Sequence, residues 1–173
     1  MGTELGKAFF DRDTVLVAKE LLGKFLVRKF RGREVSAMIT ETEAYDGSED
    51  RASHASKGKT ARTEIMFGHP GVFYIYLVYG MYYMLNIVTR EHSHPAAVLI
   101  RSIQHYNGPG KLTKFLNIDK DLNALPAKKS SGLWFEDRGV KIPPRSIKKT
   151  RRIGIDYAEP IWVAKKWRFF IER

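Results

Sequence analysis

Two glutamates near the end of one strand-like segment are the residues best suited to chemistry in this sequence. Glu41 and Glu43 lie two positions apart in VSAMITETEAY, residues 35–45, where alternation predicts a β-strand. A carboxylate held at a strand end can accept a proton from water and direct the resulting nucleophile. A solvated or salt-bridged glutamate is the alternative. Strand geometry predicts that the odd-numbered residues share one face: Val35, Ala37, Ile39, Glu41, Glu43 and Tyr45.

The two carboxylates together admit a second chemistry. A retaining glycosidase uses a pair of carboxyl groups about 5–5.5 Å apart. Residues i and i+2 of one strand are spaced roughly 6.5–7 Å along the backbone. A carbohydrate-active hydrolase that uses Glu41 with Glu43 is therefore a weaker alternative to a mechanism with Glu43 alone.

Tyrosines are concentrated in VFYIYLVYGMYYMLN, which predicts two strands at 72–78 and 82–89 hinged at Tyr79-Gly80-Met81. Tyr74 and Tyr76 fall on one face of the first strand. A tyrosine ring can stack on a flat ligand or fill a core. Tyr79 at the hairpin tip has little core to join and is placed to project as a wedge, whereas we expect core packing for Tyr82 and Tyr83.

Three further polar residues stand out. Asn86 interrupts the second of these strands, where its amide either contacts a ligand edge or is satisfied by backbone groups. Arg101 ends the apolar strand AAVLIRSI, 96–103, so its guanidinium needs an anion, with Glu41, Glu43 or a phosphate as candidates. His54, in the polar loop 46–63, is expected from its surroundings alone to face solvent.

The composition favours a polyanionic partner. Thirty Lys and Arg against nineteen Asp and Glu give a net charge of +11, and cations that contact phosphates release condensed counterions. The absence of cysteine excludes disulfides and thiolate metal sites. His92 and His94 have no evident third ligand, so no metal is expected. With no apolar run near the ~20 residues of a membrane span, and no signal peptide, we expect an intracellular protein.

The remaining pattern predicts a single α+β domain of mainly antiparallel strands with a few helices. A helix is expected from Thr14 to Leu22, capped by Asp13, and another short one after GPGK at 108–111. Residues 126–152 read as a basic, loop-rich stretch, in which a solvated face explains the run KKTRR at 148–152. The segment WRFFIE near the end predicts a returning strand.

Several segments of this chain strongly resemble the alkyladenine, or 3-methyladenine, DNA glycosylase family, also called methylpurine glycosylases. They are ETEAYDGSEDRASHASKGKTAR (41–62), MFGHPGVFYIYLVYGMYYMLNI (66–87), AAVLIR (96–101) and GPGKL (108–112). The likeness covers about residues 9–171. It implies one mixed α/β glycosylase domain over residues 1–173, with a curved antiparallel sheet, surrounding helices and a protruding hairpin.

The resemblance also implies roles for individual residues. Glu43 takes the place of the water-activating base, and Arg101 lies near the flipped nucleotide's backbone and the attacking water. Tyr79 and Met81 occupy the DNA-entering hairpin tip. The pocket for the flipped purine is formed by four further positions: Tyr45, His54, Tyr76 and Asn86.

The function that follows by resemblance is that of a monofunctional DNA glycosylase in base excision repair. It flips alkylated or deaminated purines of the 3-methyladenine type out of duplex DNA and excises them by hydrolysis, as a monomer, without metal or organic cofactor. A non-enzymatic DNA- or RNA-binding module remains the alternative. The family usually carries a longer insertion before GPGKL, where this chain has only SIQHYN, and often Arg-Asn where this chain has Arg62-Thr63; both departures lie outside the expected catalytic core.

Overall fold

A sheet of ten strands, antiparallel at every pairing, organises the chain in the computed structural model, which describes residues 2–172. The strands are β1 (Thr3–Glu4), β2 (Phe25–Phe30), β3 (Arg33–Asp46), β4 (Phe73–Val78), β5 (Tyr82–Val88), β6 (Ala96–Ile103), β7 (Tyr106–Asn107), β8 (Leu133–Asp137), β9 (Ile147–Thr150) and β10 (Arg168–Ile171). Four short helices accompany it: α1 (Lys7–Phe10), α2 (Thr14–Glu20), α3 (Pro109–Phe115) and α4 (Pro160–Val163). The predicted α+β class is confirmed.

The sheet follows the order β1-β8-β2-β3-β6-β5-β4, with β10 added to β3, β9 to β10 and β7 to β6. One apolar core lies between this sheet and the helices, and its largest fully buried side chains include Phe10, Phe73 and Phe135. Helix α2 begins as predicted, because the Asp13 carboxylate accepts a hydrogen bond of 2.9 Å from the backbone N–H of Leu16.

A register irregularity in the middle of β3 changes the face to which its side chains point. Before it, Ile39 belongs to the apolar core; beyond it, Ala44 does, and the Thr42 hydroxyl donates to the carbonyl of Ala18 on α2 at 2.7 Å. The pairing with β6 shifts on both sides of Glu41. The prediction that Val35 to Tyr45 share one face is therefore wrong, because a bulge re-aims the side chains that follow it.

This irregularity places Glu41, Glu43 and Tyr45 on the sheet face opposite α2. It also coincides with a change of neighbour, since β3 pairs with β2 up to Met38 and with β10 from Glu41. A single strand thus contributes apolar residues to the core at its start and polar residues to the other face at its end.

Strands β4 and β5 form the predicted hairpin. Its turn is closed by a 3.1 Å hydrogen bond from the N–H of Met81 to the carbonyl of Val78. The two residues between them take φ values of +52° at Tyr79 and +64° at Gly80. This backbone region suits glycine and is strained for tyrosine. The Tyr79 side chain is 92% exposed, so the ring projects from the tip.

The stretch 126–152 contains more structure than its composition suggests. Strand β8 lies between β1 and β2, and its Trp134 and Phe135 are buried. The stretch expected to be loop-rich thus contains a five-residue strand at 133–137, whose first three residues are apolar, and a four-residue strand at 147–150. The returning strand near the end is confirmed as β10. No helix among residues 2–172 is long and apolar enough to cross a membrane.

Candidate active site

Glu43 is completely buried on the face of β3 opposite α2, and three donors surround its carboxylate. Oε1 accepts a hydrogen bond of 2.7 Å from the backbone N–H of Ile153. Oε2 accepts one of 2.8 Å from the Tyr45 hydroxyl and one of 3.5 Å from Nη1 of Arg101. An ionised carboxylate offers about four acceptor positions, so one position remains for a further donor such as water.

Burial raises the pKa of Glu43 above its usual range, because removal from water disfavours the charged form. Arg101, the Ile153 N–H and the Tyr45 hydroxyl act in the opposite direction, because each favours the carboxylate. A carboxylate whose pKa is raised is a stronger base once it has ionised. Glu43 is therefore a buried, hydrogen-bonded carboxyl group rather than a solvated strand-end residue.

A cavity of about 380 Å³ lies beyond these donors, and Glu43 itself is not among the residues that line it. All three donors to Glu43 contribute to its lining, as do most of the residues that the sequence predicts for a binding pocket. Of those predicted residues, the ones that line the cavity are Tyr45, His54, Tyr76, Tyr79, Asn86 and Arg101. The structure thus brings residues from five separate segments around one space.

Aromatic rings form one side of the cavity. His54 lies with its ring centre 4.7 Å from that of Tyr76, edge to face, and its Nδ1 is 3.1 Å from the Tyr74 hydroxyl. The expectation of a solvent-facing His54 is wrong, because a one-turn 3₁₀ helix at His54–Lys57 directs it inward. Since His54 and Tyr76 touch, a flat ligand held between them has to separate the two rings.

His54 is placed to remain neutral. Burial lowers its pKa, and the positive charges of Arg62 and Lys57 lower it further. The Arg62 guanidinium lies 5.0 Å from the centre of the Tyr76 ring. The phenols nearby stay protonated as well, since burial raises the pKa of Tyr76 and of Tyr45. The cavity therefore presents neutral rings to a ligand at neutral pH.

Asn86 is hydrogen-bonded to backbone groups and also lines the cavity. Its Nδ2 donates to the carbonyl of Tyr74 at 3.2 Å and lies 3.5 Å from that of Met84, while the residue lines the cavity. Backbone contacts thus fix the amide, which is 4% exposed. A fixed amide at a cavity surface can discriminate between ligand edges, because a mismatched group leaves it unpaired.

Arg101 joins the two carboxylates that the sequence offered for it. Its Nε donates to Oε1 of Glu41 at 3.2 Å, while Nη1 contacts Glu43. Glu41 is also bound by Arg168 at 2.5 Å and by the Ser102 hydroxyl at 3.0 Å. Glu41 does not line the cavity but a separate cleft. Of the two glutamates, Glu43 is hydrogen-bonded to three residues of the cavity lining, and Glu41 to Arg101 alone among them.

A buried ion pair behind Tyr45 was missed by the sequence reasoning. Arg152 binds Asp50 through both Nη atoms, at 2.6 and 2.9 Å, and both side chains are fully buried. The guanidinium also lies 4.8 Å from the centre of the Tyr45 ring and 5.1 Å from that of Trp167. The interpretation of 148–152 as a solvated face is thus wrong for Arg152. The next residue, Ile153, is the one whose backbone N–H donates to Glu43.

The hairpin tip marks the mouth of the cavity. Tyr79 lines it, whereas Met81, which is 63% exposed, does not. The expected core packing holds for Tyr83, which packs against the main core, but is wrong for Tyr82, which is 44% exposed. The Tyr82 ring lies against Gly110 of α3 instead, where a Cβ would come within 2.6 Å of Cδ1. The tip is therefore an exposed aromatic projection beside the cavity.

The short connection SIQHYN forms a tight hairpin between β6 and β7, with Ser102 paired to Asn107 and Ile103 to Tyr106.

His94, one of the two histidines excluded as a metal pair, has Nε2 2.9 Å from Oδ1 of Asp46. No group of residues suited to holding a metal ion occurs within residues 2–172.

Comparison with known proteins agrees with this arrangement. The family described as methylpurine-DNA glycosylase (MPG) matches residues 8–107 and 104–173, two segments that meet at the short β6–β7 connection. A protein of Desulfitobacterium hafniense is 43% identical over 97% of this chain and 95% of its own length. Another, of Rickettsia felis, is 44% identical over 96% of this chain and 92% of its own length. Both are named "Putative 3-methyladenine DNA glycosylase". The family match extends over almost the whole chain, so the chain belongs to the methylpurine-DNA glycosylase family.

Proposed function

We propose that residues 1–173 form a monofunctional DNA glycosylase that hydrolyses the N-glycosidic bond of alkylated or deaminated purines in duplex DNA. The observation that carries this proposal is a fully buried carboxylate, Glu43, whose three hydrogen-bond donors all line an aromatic cavity beside an exposed tyrosine. A damaged base has to leave the stack to reach such a cavity. The proposal places the protein in base excision repair inside the cell.

Flipping is the first step. Extrusion of a nucleotide costs a few kcal/mol, least for a damaged or mispaired base. Tyr79, at the mouth of the cavity, would fill the space that the base leaves, as bulky side chains do in DNA-kinking proteins. Stacking of a base on an aromatic ring contributes about 1–3 kcal/mol, so contacts with Tyr76 and Tyr45 are large enough to offset the extrusion.

Recognition of the lesion follows from the neutrality of the cavity rings. A purine alkylated at N3 or N7 carries positive charge, and a cation is attracted to the faces of electron-rich rings. A protonated histidine at this place would repel it, which the lowered pKa of His54 avoids. Asn86, fixed by two backbone carbonyls, would screen the edge of the base.

Hydrolysis requires a base but no strong acid for such lesions. The alkylated purine departs as a neutral molecule, because it already carries the positive charge that an acid would otherwise supply. Glu43 would take a proton from water at its remaining acceptor position and stabilise positive charge at C1′ of the sugar. Arg101 and Tyr45 hold the carboxylate in place for this step.

Cleavage of the strand itself needs an amine nucleophile, which would form a Schiff base with the sugar. Among residues 2–172, no lysine lines the cavity. This supports simple hydrolysis, in which water is the nucleophile and the DNA backbone stays intact.

The experiment is a single-turnover incubation with duplex DNA that carries a methylated purine, with release of the free base measured over time. The wild-type protein should release the base, and Glu43→Gln should reduce the rate by a factor of about 10²–10⁴, as expected when a general base is removed. Bound DNA without release in both proteins would favour the non-enzymatic binding module. Equal release by both would remove Glu43 from the mechanism.

A further inference from the structure

A second groove, of about 590 Å³, lies between α2 and the strands β9 and β10. Within the described residues 2–172, four lysines and no acidic residue line it. We call it the lysine groove, and its principal residues are Lys19, Lys149, Lys165, Lys166, Trp167 and Phe169. This concentration of one charge in a concave surface distinguishes the groove from the aromatic cavity.

The lysine groove and the cavity are on opposite faces of the sheet. Phe169 pairs with Lys149 on one side and with Thr42 on the other, and Thr42 points to α2. The neighbouring Arg168 pairs with Glu43 and points to the other face. Successive strand residues face opposite sides. A duplex engaged at the cavity and its hairpin therefore leaves the lysine groove free.

Among residues 2–172, the groove lysines form no ion pair with an acidic side chain. Within residues 2–172, the ion pairs that involve lysine use Lys24 and Lys148 and none of the four lysines of the groove. Clustered unpaired ammonium groups in a concave surface attract polyanions. The groove is thus complementary in charge to a chain of phosphates.

Phosphates fit this groove better than stacked bases do. Lys165 lies 4.8 Å and Arg152 5.1 Å from the centre of the Trp167 ring. The π surface of the indole is therefore already engaged by cations, and Phe169 is buried at 4% exposure. A ligand would meet ammonium groups rather than open aromatic faces.

We propose that the lysine groove binds the backbone phosphates of a second segment of duplex DNA while the first occupies the cavity face. The choice of DNA rests on the proposed function, because DNA is the polyanion that the cavity face brings to the protein. A protein with two such faces bridges neighbouring duplexes and can pass from one to the other without release into solvent.

A bridging assay tests this. A lesion-containing duplex is fixed to beads and saturated with the full-length protein, and capture of a labelled, undamaged duplex is then measured across a range of salt concentrations. The groove variant is K19Q/K149Q/K166Q, which changes three exposed lysines. We expect it to lose most of the capture, and to reduce the slope of log capture against log salt by about 0.9 for each lysine that contacts a phosphate.

The matched control removes the same charge elsewhere on the surface, by K29Q/K120Q/K128Q. It should capture the labelled duplex as the wild-type protein does, and sedimentation of each protein alone shows whether protein dimers account for the bridging. Undiminished capture by the groove variant would overturn the proposal. So would a bead-bound wild-type protein that captures no duplex, a result that would favour an acidic protein as the occupant.

The same preparations separate this proposal from the proposed function. Base release from a short lesion duplex should be equal for wild-type, groove variant and control, because the groove lies on the other face. If no protein released a base but capture still depended on the groove lysines, the DNA-binding groove would stand and the glycosylase mechanism would fail.

Discussion

The guanidinium of Arg152 lies 4.8 Å from the centre of the Tyr45 ring while it binds Asp50 through two hydrogen bonds. Tyr45 in turn donates to Glu43, and the residue after Arg152 donates to the other oxygen of the same carboxylate. A salt bridge with no contact to the cavity thus holds two of the three donors that position the proposed base.

Arg152→Met should destabilise the protein strongly, because it leaves the Asp50 carboxylate buried without its partner. Removal of one member of a buried pair costs about 3–5 kcal/mol, which denaturant unfolding would measure. The double variant Arg152→Met/Asp50→Asn should lose less than the sum of the two single variants, since the single variants each leave a charge unpaired. Additive losses would show that the two residues act independently.

The stability of the protein should depend on pH through Glu43. The pKa of this group is raised in the folded state, so the unfolded chain releases its proton first as pH increases. The folded state then binds more protons, and the free energy of unfolding falls with rising pH from the usual value of 4.5 to the raised one. Glu43→Gln has no titrating carboxyl group at this position, so its free energy of unfolding should lack this fall with pH. Relative to the wild type, the variant should therefore become more stable as the pH rises from 4.5 to the raised pKa. A pH-independent difference would contradict the raised pKa.

Tyr79 should lower the stability of the fold while it strengthens DNA binding. Its φ of +52° costs a tyrosine about 1 kcal/mol or more relative to glycine, and its exposed ring contributes no burial. Tyr79→Gly is therefore expected to raise the melting temperature while it weakens binding to lesion-containing DNA. Tyr79→Ala is the control, because it loses the ring but keeps the strain of a Cβ. If both variants have the same stability, the turn is not strained.

Glu41→Gln should retain substantial base-release activity, in contrast to Glu43→Gln. Glu41 binds two arginines and lines a different cleft, so its loss should act mainly on the position of Arg101. Single-turnover rates for the two variants on one methylated duplex provide the comparison. Equal and severe losses would favour the paired-carboxylate mechanism of a glycosidase.

The local features of this chain were predictable from the sequence because they depend on near neighbours. Alternation identified β3 and placed Glu43 and Tyr45 on a common face, and the Tyr79-Gly80 pair predicted the hairpin tip. The same reasoning was wrong for Tyr82, because the exposure of a residue beside the hairpin tip depends on what α3 places against it. Short-range pattern thus located the segments that carry the site.

Two features were beyond such reasoning. Arg152 and Asp50 are 102 residues apart, and nothing within KKTRR distinguishes the one buried arginine from its solvated neighbours. The irregularity in β3 lies at Thr40-Glu41, where the sequence has no glycine that would indicate a bulge. In both cases the decisive contacts are distant in sequence: Arg152 binds Asp50, and β3 changes register where it pairs with β6 and β10.

The irregularity in β3 makes the spacing between Ile39 and Thr42 as consequential as the identity of Glu43. At its present length, simple alternation through this stretch would turn Glu43 and Tyr45 inward against Ala18, with Thr42 and Ala44 outward. Such a strand would keep every side chain proposed for hydrolysis and still be inert, so the backbone path at Thr40-Glu41 decides on which face the carboxylate lies.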